Sequence, residues 1–352
     1  MSRVPAFGLH IQRGSAPGFE YPIAQVRGAR ESGLDSVWVA DHLNGYPTSA
    51  PVFEPFTLMG YLAREAPGLR IGLAATDPYR RHPALLAQAF STVAAMTGAP
   101  PILVFGSGEA QNLTTFGWRI ERPLRRVTES TEAIRALWAS SPDTPVTYRS
   151  ERFDIEDAFL QLAPDVPLPA IHYAANGPLM RKRIGREADG WVPMMLTPEL
   201  LAEDLADIHA NAVEAGRRPE DIEVVYHTSF ALTDDIASGL ETVKVGSQRT
   251  LLAYPSMARR LGAEIDETYR YRDLVITKET EADVNRAAAG IPDSAFERTG
   301  VYGSADDCIR QIDEYVAAGV DHFVFRLATP LDEAVAFFRD RLVPHVRSTY
   351  GA

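Results

Sequence analysis

The chain has 352 residues, of which 35 are Lys or Arg and 47 are Asp or Glu, so its formal net charge is −12. This acidic balance argues against a nucleic-acid-binding protein, because such proteins carry an excess or a patch of basic residues. Hydrophobic residues make up 45% of the chain and one cysteine is present, which excludes a disordered chain, an internal disulfide framework and a cysteine-ligated metal cluster.

Short apolar runs alternate with longer amphipathic segments along nearly the whole chain. The runs predicted as strands are residues 7–11, 36–39, 70–75, 102–105, 170–174, 189–192, 222–232 and 322–325. The segments with helical character that follow them are residues 20–32, 54–66, 83–97, 122–138, 178–187, 198–215, 304–318 and 332–347. Alternation of this kind is typical of parallel βαβ units, and eight such units predict a closed (β/α)8 TIM barrel. We expect it to form a single domain over residues 1–352.

Two stretches between these elements are too long to be simple connections. A barrel of this type needs roughly 250 residues, and the excess falls at residues 140–169 and 233–299. The first stretch contains a hairpin-like segment at residues 146–155, and the second is expected to be helical in pieces. Insertions after barrel strands either shape a substrate pocket or serve packing alone.

One stretch, from residue 83 to residue 108, contains no charged side chain. Residues 98–101, Gly-Ala-Pro-Pro, divide it, so it predicts a helix and a strand of a protein core rather than a membrane span. The N-terminal residues lack the apolar segment of a secretory signal. We therefore expect a cytoplasmic protein that binds neither a membrane nor nucleic acid.

The catalytic groups of barrel enzymes gather where the strands end. Polar residues follow four of the predicted strands, and these are Asp41, His42, Asn44, Thr76, Glu109, Asn112 and Asn176. Small residues stand beside them, and these are Ala74, Ala75, Gly106, Ser107, Gly108, Ala174, Ala175 and Gly177. Small side chains let the backbone approach a flat or phosphate-bearing ligand closely. The helix predicted to begin after Gly177 offers free N–H groups to an anion.

Several of these segments together resemble the luciferase-like oxidoreductase superfamily. Residues 72–78, with residues 81–83 and 87–89, are similar to its third strand and helix. Residues 106–112, Gly-Ser-Gly-Glu-Ala-Gln-Asn, resemble the GxGEAxN segment of glucose-6-phosphate dehydrogenases that use the deazaflavin coenzyme F420. Residues 38–44 and 175–178 resemble the phthiodiolone ketoreductases and the methylene-tetrahydromethanopterin reductases. The resemblance spans roughly residues 6–346, apart from the large insertion.

The resemblance implies an enzyme that transfers a hydride between C5 of F420 and a ketone, an imine or an activated C=C bond of a small-molecule substrate. It implies cofactor binding by Asp41, Ala74, Ala75, Thr76, Gly106, Ser107, Gly108, Asn112, Ala174, Ala175, Asn176 and Gly177. It also implies a homodimer and a cis peptide bond at Ala74–Ala75. Two other functions stay open, namely an FMN-dependent luciferase-like monooxygenase and a non-catalytic cofactor-binding protein.

His42 is the residue that the resemblance places beside the reacting carbon. A histidine gains and loses a proton near neutral pH, so His42 could protonate a carbonyl oxygen as the hydride arrives, or take a proton in reverse. Asp41 would orient His42 or contact the ring of the cofactor, and Glu109 matches the family's acid–base glutamate. Alternatively, Asp41 and His42 form a structural polar turn, and Glu109 serves a helix N-terminus.

The substrate pocket is expected to involve His10, Asn44, Tyr46 and Trp118, although His10 is also compatible with a place in the core. Arg81 is predicted to be an ion-pair partner rather than a ligand. No metal site is predicted, because no HxH or HExxH spacing occurs. The phosphate-binding residues of the family's sugar-phosphate dehydrogenases have no counterpart in residues 192–196. This difference favours an apolar or carbonyl-bearing substrate over a sugar phosphate.

Overall fold

The computed structural model describes residues 4–12, 18–50, 52–163 and 165–351. In chain order its strands are β1 Ala6–His10, β2 Ser36–Val39, β3 Arg70–Thr76, β4 Ile102–Phe105, β5 Val146–Arg149, β6 Asp154–Ala158, β7 Ala170–Tyr173, β8 Gly190–Trp191, β9 Glu223–Leu232, β10 Val301–Gly303 and β11 His322–Leu327. Its α-helices are α1 Glu20–Glu31, α2 Pro55–Ala63, α3 Pro83–Thr97, α4 Ala110–Leu113, α5 Pro123–Trp138, α6 Pro178–Glu187, α7 Pro198–Glu214, α8 Ile236–Leu252, α9 Pro255–Arg260, α10 Glu281–Ala289, α11 Ala305–Ala317, α12 Leu331–Phe337 and α13 Val343–Tyr350. Within these described ranges, no helix is both long and apolar enough to cross a membrane.

Eight of the strands close into a barrel. Around the ring they follow the order β1, β2, β3, β4, β7, β8, β9 and β11, and β11 pairs with β1 to close it. Every neighbouring pair in this ring is parallel. Parallel neighbours require a crossover between strands, and the helices supply it. The predicted (β/α)8 TIM barrel is therefore confirmed.

Two short elements do not follow from the sequence pattern. The three residues of β10 pair with the last three residues of β9, the first of which, Phe230, also pairs with β11. The four residues of α4 form a single helical turn after β4. Segments this short show neither the alternation of a strand nor the spacing of a helix over enough residues to be recognised.

The buried side chains form two main groups. The larger group lies between the barrel and its helices, and it includes Phe90 on α3 and Ile312 on α11. The smaller group fills the barrel interior and consists of Trp38, Ala74, Ile102, Val104, Val192, Val225 and Val324. Successive residues of a strand point to opposite faces, so every second residue of each strand faces this interior. Gly72 is required beside Trp38, because a Cβ atom at residue 72 would lie 2.1 Å from the indole.

A charged cluster occupies the N-terminal end of the barrel. The carboxylate of Glu223 accepts two hydrogen bonds from Arg70, at 2.7 Å and 2.9 Å. Its oxygens lie 3.1 Å from Nδ1 of His322 and 3.5 Å from Nε2 of His172. Because barrel active sites lie at the opposite end, we interpret this group as one that stabilises the fold.

The long insertion packs against the C-terminal end of the barrel. The hydroxyl oxygens of Ser107, after β4, and Tyr271, in the insertion, are 2.6 Å apart. The side chain of Gln111 exchanges two hydrogen bonds with the backbone of Ile276. The insertion therefore touches the end of the barrel where the predicted site residues lie. The shorter insertion contains the predicted hairpin, as the antiparallel pair β5 and β6.

Candidate active site

His42 lies after β2, at the C-terminal end of the barrel. Its Nδ1 atom is 2.9 Å from Nδ2 of Asn112 and 3.6 Å from Oε2 of Glu109. Both partners follow β4, so the ends of two strands converge on one imidazole. The side chains of His42 and Glu109 are 38% and 37% exposed. A small molecule that enters the C-terminal opening of the barrel, here called the barrel mouth, can therefore reach them.

The amide of Asn112 determines which ring nitrogen of His42 carries the proton. Its Oδ1 accepts hydrogen bonds from the backbone N–H groups of Leu43 and Asn44, at 2.6 Å and 3.2 Å. Nδ2 therefore faces His42 and donates to Nδ1, and it also donates to Oε2 of Glu109 at 3.0 Å. An imidazole nitrogen that accepts a hydrogen bond is unprotonated, so the neutral ring carries its proton on Nε2.

We expect Asn112→Ala to release this control of the tautomer. The variant removes the amide hydrogen that Nδ1 of His42 accepts, and it leaves two backbone N–H groups without their acceptor. Side-chain NMR of nitrogen-15-labelled protein should then show His42 as a mixture of neutral tautomers, whereas the wild-type ring is protonated on Nε2 alone. His42→Asn assigns the resonance.

Asn112→Asp is the matched variant for this measurement. Its carboxylate keeps an acceptor for the N–H groups of Leu43 and Asn44 but presents an oxygen to Nδ1 of His42. We therefore expect the doubly protonated ring to persist to higher pH than in the wild-type protein. Spectra of His42 that are the same in all three proteins would contradict the positioning role of Asn112.

Asp41 precedes His42, but its carboxylate faces a different set of groups. Oδ2 accepts a hydrogen bond from the Thr76 hydroxyl at 2.6 Å and lies 2.5 Å from Nη1 of Arg81. Arg80 adds a contact of 3.0 Å to the same oxygen. The ion-pair role predicted for Arg81 is confirmed. The orientation of His42 by Asp41 is not what the structure shows, because these cations engage the carboxylate and the hydrogen bond to His42 comes from the end of β4.

The ends of β3 and β4 present small residues to the mouth. The peptide bond Ala74–Ala75 is cis, as the resemblance implies. The N–H of Gly106 donates to the carbonyl oxygen of Thr76 at 2.8 Å, and a Cβ atom at Gly106 would touch Cβ of Ala75 at 3.4 Å. Gly108 has a φ of +89°, and a Cβ atom there would lie 2.5 Å from a neighbouring side chain. Only glycine fits this position without strain.

The loop between β7 and α6 forms a third part of the mouth. Nε1 of Trp191 donates to the carbonyl oxygen of Ala175 at 2.6 Å, and this bond fixes the loop to β8. Nδ2 of Asn176 donates to a backbone carbonyl in the segment after β8 at 3.0 Å. Gly177 precedes the first residue of α6, and as a glycine it has no side chain with which to cap the helix. The positive end of α6 is therefore open to an anionic ligand.

Comparison with known proteins identifies the family of this chain. The family model described as luciferase-like monooxygenase matches residues 4–322. The chain belongs to the luciferase-like monooxygenase family. The prediction of a luciferase-like oxidoreductase is thereby confirmed.

Named relatives of this luciferase-like chain include two kinds of oxidoreductase. The phthiodiolone/phenolphthiodiolone dimycocerosates ketoreductase of Mycobacterium kansasii is 30% identical over 323 residues, covering 83% of this chain and 87% of the relative. The F420-dependent glucose-6-phosphate dehydrogenase of Kineococcus radiotolerans is 28% identical over 306 residues, covering 82% of this chain and 88% of the relative. A solved F420-dependent secondary alcohol dehydrogenase, in complex with an F420-acetone adduct, has a TM-score of 0.81 and 24% identity, and covers 97% of this chain and 99% of its own. This last likeness shows the same fold.

The mouth of this luciferase-like barrel holds polar atoms that suit a bound ligand. Nδ1 of His10, Oδ1 of Asn44 and Oδ1 of Asn176 are buried and have no hydrogen-bond partner among the residues that the structure describes. An unpaired buried polar atom costs about 1–3 kcal/mol, so these atoms indicate a ligand that would pair with them. Small residues around Gly106 leave room for a flat ring, and the start of α6 suits a phosphate. The residues present therefore fit a deazaflavin or a flavin.

Other predicted cofactor residues already have partners inside the protein. The hydroxyl of Thr76 donates to Asp41, and the hydroxyl of Ser107 pairs with Tyr271. The amide of Asn112 is shared among His42, Glu109 and two backbone groups. Their direct contact with a cofactor stays a prediction, while the structure gives each of them a positioning contact.

The structure gives the surroundings of two other predicted substrate residues, Tyr46 and Trp118. The ring of Tyr46 lies under the guanidinium of Arg249 on the inserted helix α8, 4.4 Å from its carbon atom. Trp118 lies on the loop after β4 and is 38% exposed. Their contact with a substrate stays a prediction.

Basic side chains occupy another side of the mouth. The rings of His10 on β1 and His227 on β9 are 4.9 Å apart. Nη2 of Arg326 on β11 donates to Oγ of Ser229 at 3.2 Å. Burial lowers the pKa of His10 well below its ordinary value, and the charges of His227, Arg326 and His42 lower it further. Burial, followed by the charge of Arg326, lowers the pKa of His227 to about 3. Both half-buried imidazoles are therefore neutral at physiological pH.

Arg326 is absent from the residues predicted from the sequence, because the last strand was predicted to end at residue 325. The strand β11 continues to Leu327, and its inward-facing series is His322, Val324 and Arg326. A charged residue in an inward-facing series is the signal that could have identified it.

Proposed function

We propose that the protein is an F420-dependent oxidoreductase that transfers a hydride between C5 of the deazaflavin and a ketone, an imine or an activated C=C bond. The observation that carries this proposal is the placement of His42 in the barrel mouth, with Asn112 and Glu109 on the Nδ1 side of its ring. This arrangement leaves Nε2 available to a substrate. Relatives named as a ketoreductase and as an F420-dependent dehydrogenase support the same class of reaction.

The side chains divide the work between proton transfer and positioning. When bound, F420 supplies the carbon that gives or accepts the hydride. His42 acts as an acid from its doubly protonated form, in which it donates a proton from Nε2 to the substrate atom that becomes negative as the hydride arrives and keeps the proton on Nδ1. Glu109, 3.6 Å from Nδ1, stabilises the positive charge of the doubly protonated ring. Asn112 holds the neutral ring in place through its hydrogen bond to Nδ1, and Nδ1–H faces Glu109 instead when the ring is doubly protonated.

Titration of the purified protein with F420 and with FMN, followed by fluorescence, tests the cofactor. We expect F420 to bind at least about tenfold more tightly than FMN, a difference of about 1.4 kcal/mol. Preference for FMN would replace this proposal with the monooxygenase described below. Binding of neither cofactor would contradict both functions, whereas F420 binding without turnover of any carbonyl compound would favour a non-catalytic protein.

A pair of glycine variants locates the cofactor. Gly106→Leu should weaken F420 binding by at least about tenfold, because its side chain would extend over Ala75 into the space between β3 and β4. Gly246→Leu on the exposed face of α8, where a Cβ atom meets nothing within 4 Å, should leave the affinity unchanged. Equal affinities in both variants would place the cofactor elsewhere.

The second candidate function is an FMN-dependent monooxygenase, which the description of the matching family favours. A reduced flavin reacts with oxygen, whereas a reduced deazaflavin hardly does. Oxygen uptake by the protein with reduced FMN and substrate therefore distinguishes the two functions.

The remaining parts of the proposal concern the setting of the enzyme. We propose a small-molecule substrate, a homodimer and a cytoplasmic location, each of which rests on the resemblance and the composition. Analytical ultracentrifugation tests the homodimer.

A further inference from the structure

The barrel mouth is chemically asymmetric. The inward-facing positions at the ends of β3, β4 and β7 hold Ala74, Gly106 and Ala174. The corresponding positions on β1, β9 and β11 hold larger basic residues, namely His10, His227 and Arg326. In the ring of eight strands, β11 lies four places from β4 and is therefore directly across the barrel from it. The half with small residues therefore has room for a flat ring, and the half with basic residues suits an anionic group.

Arg326 lies at the C-terminal end of β11, in this second half. The strand register sets it beside Ser229, whose hydroxyl it contacts at 3.2 Å. Burial lowers the pKa of Arg326, because the surrounding protein disfavours its charge. The residue is nevertheless exposed to solvent. A small molecule that enters the barrel mouth can therefore reach the guanidinium.

No carboxylate of the described residues lies within 4 Å of the Arg326 guanidinium. The five residues after Gln12 that the structure does not describe are Arg, Gly, Ser, Ala and Pro, and so contribute no carboxylate either. Beside it stand the neutral imidazoles of His10 and His227, and Nδ1 of His10 is buried without a hydrogen-bond partner among the described residues. An exposed guanidinium without a carboxylate partner can pair with an anion that enters the barrel mouth.

We propose that Arg326, with Ser229 and His10, binds a carboxylate of the substrate. The planar guanidinium matches a carboxylate through two parallel N–H···O bonds. An anionic group of the cofactor is the other anion that could pair with this guanidinium. The start of α6 and the small residues of β4 and β7 already offer the cofactor a place across the barrel. The substrate class is then an oxo acid or a hydroxy acid, and this assignment rests on the proposed function.

Isothermal titration of the F420-loaded protein with pyruvate, acetoacetate and levulinate, each compared with its methyl ester, tests the assignment. We expect at least one acid to bind about tenfold to a hundredfold more tightly than its ester, as a charge-assisted hydrogen-bonded pair implies. Arg326→Gln should abolish this preference and change the F420 affinity by less than about threefold. Arg149→Gln, on the exposed hairpin, is the matched control and should keep the preference.

Thermal unfolding of the same proteins shows whether Arg326 serves the fold instead. Because its charge has no described partner, Arg326→Gln should leave the free protein as stable as before or more stable. A large loss of stability in this variant would assign Arg326 a structural role and contradict the proposal.

Three other outcomes are decisive. Acids and esters that bind equally would overturn the carboxylate site. A loss of F420 affinity in Arg326→Gln, with the acid preference unchanged, would assign the arginine to the cofactor. If the wild-type protein does not bind F420, the proposed function is wrong, and the comparison of acids with esters on the free protein still decides whether the anion site exists.

Discussion

Replacing His42 with asparagine should lower kcat/KM by about a hundredfold to ten-thousandfold, the usual contribution of a general acid or base. An asparagine side chain can still pair with Asn112 and Glu109, but it cannot hold and release a proton. The measurement is the change in absorbance of oxidised F420 during turnover of the substrate that the wild-type protein converts fastest. The affinity for F420 should change by less than about threefold, because the loss concerns proton transfer.

His82→Asn is the matched control for this substitution. His82 is exposed, and its Nδ1 atom accepts a hydrogen bond from the N–H of Ala84 at the start of α3. Asparagine is a favourable residue at the start of a helix, so this variant should keep both its stability and its activity. Full activity in His42→Asn would show that the proton comes from another group and that the proposed mechanism is wrong at its centre.

Most of the fold could be predicted because the barrel strands are apolar and most are buried on both faces. Such strands appear in the sequence as short continuous runs, for example Ile102 to Phe105, in which every residue is buried. The three residues of β10 and the single turn of α4 gave no comparable signal. The end of β11 was predicted too early because Arg326 interrupts the apolar run, although the strand continues past it.

The members of the candidate site could be predicted from the strand ends, but their pairing could not. Asp41 and His42 are neighbours in the chain, which suggested that one orients the other. In the structure the two side chains have different partners, Arg81 for Asp41 and Asn112 for His42. Which groups meet depends on how the loop after β2 folds against β4. The loop is held there by the backbone N–H groups of Leu43 and Asn44, which donate to Asn112. Every residue except proline has such a group, so the sequence gives no signal for this contact.

The group around Glu223 joins four barrel strands, β3, β7, β9 and β11, and it supports the second large prediction. The side chain of Glu223 is 14% exposed and that of Arg70 is 23% exposed. Burial opposes the charge of Glu223, but the hydrogen bond from His322, the charge of His172 and the hydrogen bond from Arg70 outweigh it. Together they hold the pKa of Glu223 far below its ordinary value of 4.5. The folded protein therefore favours the ionised carboxylate.

We expect Glu223→Gln to lower the free energy of unfolding by about 2–4 kcal/mol near neutral pH. The amide keeps the shape of the side chain but leaves the guanidinium of Arg70 without its paired carboxylate. Urea denaturation followed by circular dichroism measures the change. Glu156→Gln is the control, since Glu156 pairs with Arg149 on the exposed hairpin and its side chain is 71% exposed. Its loss should not exceed about 1 kcal/mol.

The effect of Glu223→Gln should also depend on pH in a defined direction. A carboxylate whose pKa is lowered by folding stabilises the protein above its unfolded pKa, and this contribution is lost as the pH falls below about 4.5. Burial, the largest influence, lowers the pKa of His172 from 6.5 to about 4, so both proteins also lose stability as the pH falls through that interval. The difference between wild type and variant should therefore be constant from about pH 7 to about pH 5 and shrink below it. A difference that stays constant down to about pH 3 would show that Glu223 acts through its shape rather than through its charge.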